Sequence, residues 1–144
     1  MLENIVADTG SDNELPVEVI ALPQDLEDVE TKPYLISFEN YNERECQIKD
    51  MLKNQPKKAL EIFKLIGTKI LAESDFSKFG ITSKPIRNEG EYLKLWKGLS
   101  PDVEIKELIV QSESRIFYHV IEAVKKFYVV AITATHFETE KVRR

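Results

Sequence analysis

Cysteine and histidine are almost absent from this chain of 144 residues, which has one of the former and two of the latter. Cys46 has no partner for an internal disulfide, and with His119 and His136 it falls short of the four-ligand set of a structural zinc site. No run approaches the ~18 apolar residues that a membrane-spanning helix needs. The opening residues Met1-Leu2-Glu3-Asn4 lack the basic start and apolar stretch of a secretory signal. The nucleotide-binding patterns GxxxxGK[ST] and GxGxxG, the zinc-protease pattern HExxH and the hydrolase elbow GxSxG are all missing. A disulfide-free, cytoplasmic protein is expected, with no cofactor, no metal and no membrane partner.

What is present suffices for one real core. The chain is 42% hydrophobic and 31% charged, with a formal charge of −5, a composition that excludes a wholly disordered chain. The charge is unevenly placed. Residues 1–31 hold nine of the 25 acidic side chains and no Lys or Arg, so the body from Lys32 onward sums to +4. The expected organisation is an acidic, loosely attached arm over 1–31 and a folded domain over 32–144. Within the arm, Val17–Leu22 is apolar enough to form a strand if a sheet edge is offered to it.

In the body, Tyr34–Phe38 reads as a strand. Asn42-Glu43-Arg44-Glu45 carries a capping residue with Glu three positions on, which predicts a helix to about Lys53. Pro56 ends it and opens a second helix, with Leu60, Phe63, Ile66, Ile70 and Leu71 as its apolar stripe. Residues 74–91 are irregular, broken by Gly80, Pro85 and Gly90 and pinned by Phe76, Phe79 and Ile81. Strand-like runs follow at Tyr92–Trp96, Val103–Val110, Arg115–Ile121 and Phe127–Thr135, with turns at 97–102, 111–114 and 122–126. Such short connections require antiparallel pairing. The expected fold class is α+β: an N-terminal helical hairpin on one face of an antiparallel sheet of about four strands.

Cys46 falls within the first predicted helix, as a buried thiol. His119 lies mid-strand, as a packed or surface residue. His136 ends the last strand, where a side chain escapes the core, and is the better candidate for proton transfer.

This order of elements, and above all the segment Arg115-Ile116-Phe117-Tyr118-His119-Val120 followed by Lys126-Phe127-Tyr128-Val129-Val130-Ala131-Ile132, resembles the RelE/ParE superfamily of bacterial toxin–antitoxin toxins over roughly residues 34–140. The resemblance implies a RelE-like fold, a cognate antitoxin and, for nuclease members, metal-independent cleavage of ribosome-bound mRNA. In that reaction the ribose 2′-OH attacks the scissile phosphate. By the same resemblance Arg115 grips the phosphate, a task suited to its planar donors. His136 serves as acid or base, and Lys106 stands on the strand where RelE carries paired lysines. Lys97, Lys94 and Arg87 add backbone attraction, and Phe137 stacks on a base. Two departures matter. Phe137 stands where YoeB-like members have a catalytic tyrosine, and Glu104 and Glu107 flank Lys106. The resemblance therefore also allows a ParE-like protein that inhibits by contact, or a binding module held in check by its acidic arm.

Overall fold

The computed structural model describes residues 31–135 and 137. Five strands form one mixed sheet: β1 (Leu35–Ser37), β2 (Ser83–Pro85), β3 (Lys106–Gln111), β4 (Ser114–Ile121) and β5 (Lys126–Thr133). Their spatial order is β1-β5-β4-β3-β2. β2 to β5 run as an antiparallel meander, whereas β1 lies parallel to β5 with Ile36 opposite Phe127. The α+β class holds. The sheet has five strands rather than about four, because Ser83–Pro85 adds an edge strand within the stretch expected to be irregular. It is mixed rather than antiparallel, because the long connection after β1 brings that strand parallel to β5.

The helical hairpin does not form. A single α-helix is found among the described residues, α1 (Gln55–Thr68), with Pro56 in its first turn, where a missing N–H costs nothing. In place of the first predicted helix are two short 3-10 turns, Glu43–Glu45 and Ile48–Asp50. Asn42 does act as a cap, its side chain accepting from the Arg44 N–H at 3.1 Å. The backbone N–H groups of Asn42 and Gln47, however, bond to the Val130 and Ile132 carbonyls of β5 at 2.7 and 2.9 Å. The Gln47 side-chain oxygen then takes the Ala134 N–H at 2.8 Å. This segment continues the sheet edge beyond β1. Its donors serve β5, which a helical i to i−4 ladder would forbid. Cys46 accordingly sits in an extended, half-buried stretch rather than in a helix.

The apolar stripe of α1 differs from the predicted one. Ala59, Ile62 and Ile66 are buried, whereas Leu60 is exposed. Together with Ile70 they cover one sheet face, against Leu108, Ile116, Tyr118, Phe127 and Val129. The opposite face is covered as well. Tyr92–Trp96, predicted as a strand, lies in a 3-10 helix, Gly90–Trp96. Tyr92 and Leu95 stand one 3-10 turn apart, Trp96 ends the helix, and Leu99 follows in the turn beyond it. They pack on Phe117, Val130 and Ala131 as a second core. Trp96 is fixed there by an indole N–H bond of 2.8 Å to the Val103 carbonyl. Seven of the eight β5 residues are consequently buried without alternation, the pattern of a strand covered on both sides.

Candidate functional site

Arg115 lies at the start of β4, opposite Ile109 of β3, while Phe117 stands opposite Glu107. Glu107 is thus its diagonal neighbour on the same sheet face. The Arg115 Nε lies 3.5 Å from Glu107 Oε2, and their side chains are only 8% and 2% exposed. One terminal nitrogen of the guanidinium donates to the Ser112 carbonyl at 2.7 Å and to the Ser114 carbonyl at 2.9 Å. Glu107 further accepts from the Tyr92 hydroxyl at 3.3 Å and has Lys84 Nζ at 3.8 Å. A buried carboxylate is tolerated only when paired and hydrogen-bonded, and Arg115 supplies the closest cation. The guanidinium is committed to holding the β3–β4 turn and neutralising Glu107. To grip a phosphate it would have to leave a buried charge behind.

Lys106 is not brought to this group. It stands opposite Tyr118, three residues from Arg115 along β4, so strand alternation puts the two on opposite sheet faces. Its ammonium lies 2.8 Å from both carboxylate oxygens of Glu73. The Tyr118 hydroxyl donates to the same carboxylate at 3.0 Å and meets Ser83 Oγ at 2.5 Å. Burial, ahead of its other causes, pushes the Tyr118 hydroxyl far above the ordinary tyrosine range, so it remains a neutral donor.

Among the expected RNA-contacting side chains, Phe137 is partly buried. It stacks on Phe117 at 5.3 Å between ring centres and packs on Tyr92 at 5.6 Å. Lys94 lies 4.4 Å above the Phe137 ring and 3.3 Å from both Glu45 and Glu91. Arg87 is exposed beside Glu89 at 4.0 Å, and Lys97 is exposed at the end of the 3-10 helix. Lys94 and Phe137 come together. Arg115 and Lys106 do not. His136 and the acidic arm up to residue 30 lie outside the described residues.

His119, expected as a packed or surface residue, is packed: it is 7% exposed. Its ring stacks on Tyr128 at 4.7 Å. The Asn40 amide nitrogen lies 3.1 Å from Nε2; since an amide N–H₂ can only donate, Nε2 accepts and the proton resides on Nδ1. Burial lowers its pKa below the usual 6.5. The unfolded chain therefore takes up a proton as pH falls below about 6.5 while the folded chain does not, so stability drops with falling pH until the depressed folded pKa is reached. Urea unfolding of wild type and His119→Gln between pH 7.5 and 5 checks this. The wild type should lose stability faster across that range, and parallel curves would refute it.

Sequence patterns did not single out Glu107 or Glu73 as partners. Each finds its cation only through strand pairing or a long loop return. Among the described residues no cluster of three or more His, Cys, Asp or Glu side chains could hold a metal ion. None of their helices is long and apolar enough to cross a membrane. Compared with protein-family models, curated proteins and solved structures, the chain gives no match.

Proposed function

We propose that the chain acts by contact with another protein rather than by cutting RNA, as the non-catalytic alternative within the RelE/ParE-like expectation. The state of Arg115 carries this reading. A phosphate-binding arginine must keep its donors toward the ligand, whereas here the guanidinium faces a buried glutamate and two main-chain carbonyls. The aromatic ring expected to stack on a base is instead packed against Phe117 and Tyr92. Surface apolar groups give a contact-acting protein something to use. Leu35 and Ile121, 63% and 44% exposed, both align with Lys126 of β5 across the sheet. Val124, 55% exposed, lies in the adjoining turn. Exposed apolar side chains grouped on a surface are a mark of protein-contact sites. On this reading the partners are a target protein and a cognate antitoxin, met in the cytoplasm.

The test is a bacterial translation extract supplied with the full chain, in which new mRNA 5′ ends are mapped by primer extension. No cleavage above the buffer control is expected. Cuts confined to ribosome-bound codons that vanish in His136→Ala would overturn the proposal. Arg115→Ala is unsuitable for this purpose, since loss of its ion pair would abolish activity by unfolding alone.

A further inference from the structure

On the α1 side of the sheet, away from Arg115, an open cavity of about 530 Å³ lies between the irregular segment after α1 and the β2 edge. Its walls include Glu73, Phe76, Ile81, Ser83, Lys84 and Lys106. A volume of this size accommodates a small organic molecule. The polar groups are convergent. Lys106 reaches both oxygens of the Glu73 carboxylate at 2.8 Å, and the fully buried Tyr118 donates to one of them at 3.0 Å. With its proton given to Glu73, Tyr118 accepts from Ser83 Oγ, so the buried end of the network has a fixed direction. An ammonium and a hydroxyl converging on one carboxylate form a receptor for an oxyanion.

In this receptor the chain's own carboxylate is the occupant. Glu73 is the first residue of the 3-10 helix Glu73–Phe79, follows extended backbone at Ala72, and remains 27% exposed at its side chain. Short 3-10 segments have poorer hydrogen-bond geometry than α-helices and adjust at lower cost. Lys84 lines the rim but turns its ammonium to Glu107 on the other sheet face, so Lys106 is the cation that meets Glu73 in the cavity. We infer that the cavity binds a small organic molecule through a carboxylate or phosphate group, which takes the place of Glu73 on Lys106 and Tyr118.

Competition from Glu73 gives the inference its signature. Glu73→Gln removes the competing charge while its amide oxygen still accepts from Tyr118, so a pre-paid cost disappears and binding should tighten about tenfold. Lys106→Met should weaken it at least about tenfold, the loss expected for a desolvated charge-assisted bond. The probes are inorganic phosphate and succinate, titrated into the full chain while backbone amide shifts are followed by NMR. Saturable shifts at residues 73–79 and 82–84, stronger in Glu73→Gln and lost in Lys106→Met, are expected with at least one probe; the tighter probe identifies the group. No saturable shift in wild type or Glu73→Gln at millimolar probe would overturn the inference. Equal binding by wild type and Lys106→Met would do so too, and Glu73→Gln keeps the test decisive if Lys106→Met fails to fold.

Discussion

Arg115→Met should destabilise the protein by about 3–5 kcal/mol, the cost of leaving a buried partner charge uncompensated. The partner is Glu107, whose side chain is 2% exposed and lies 3.5 Å from the guanidinium. Lys84 stands 3.8 Å from the same carboxylate, but its side chain is 61% exposed and water screens it. The methionine stem restores much of the volume, so the loss measures charge rather than packing. The two carbonyl bonds to Ser112 and Ser114 disappear as well, and the turn that joins β3 to β4 loosens. Urea unfolding followed by tryptophan fluorescence measures the change, since Trp96 belongs to the core on this face. A surface arginine poised for phosphate would cost within about 0.5 kcal/mol on removal.

Phe117→Ala should cost a similar amount, about 3–5 kcal/mol. Phe117 is 1% exposed, stacks on Phe137 at 5.3 Å and packs on Tyr92 at 6.0 Å. Removing the ring opens a void beneath the 3-10 helix Gly90–Trp96, whose short, irregular backbone relies on that contact. The loss should appear as a lower urea midpoint with the slope nearly unchanged. If this sheet face were an open groove for a nucleic acid, the same substitution would be close to neutral for stability.

The sheet was largely readable in the sequence because its strands combine long apolar and aromatic runs with short polar turns. β3, β4 and β5 fall within a few residues of their predicted bounds, and the 111–114 turn joins β3 to β4 as an antiparallel hairpin. α1 was readable from Pro56, although Leu60 was placed on the wrong side of it. Two elements were misread for opposite reasons. Asn42 caps as predicted, yet a local capping signal cannot anticipate that the N–H of Asn42 itself and that of Gln47 are taken by the β5 edge. Tyr92–Trp96 looks like a strand by composition, yet it folds as a short 3-10 helix because its apolar side chains are taken up by Phe117, Val130 and Ala131 on the sheet face it covers. Arg115 stands out in the sequence at the head of a strand, whereas nothing local marks Glu107 as its partner. The diagonal that joins Arg115 to Glu107 depends on a β-bulge between Ile109 and Gln111, which shifts the register by one residue beyond the turn and is not legible in the local sequence. The same bulge sets Lys106 opposite Tyr118 and so on the other face from Arg115. Glu73 was not readable at all, because its contact with Lys106 spans 33 residues and depends on an irregular loop.

The central claim is that the Arg115 guanidinium serves Glu107 instead of a phosphate. A double-mutant cycle of Arg115→Met and Glu107→Leu, measured by urea unfolding, tests it most directly. A coupling energy of about 2–3 kcal/mol is expected, with the double variant more stable than either single one, since an apolar pair replaces a buried ion pair at little net cost. Additive effects, with Arg115→Met alone close to neutral, would contradict the account and return Arg115 to the list of ligand-binding residues.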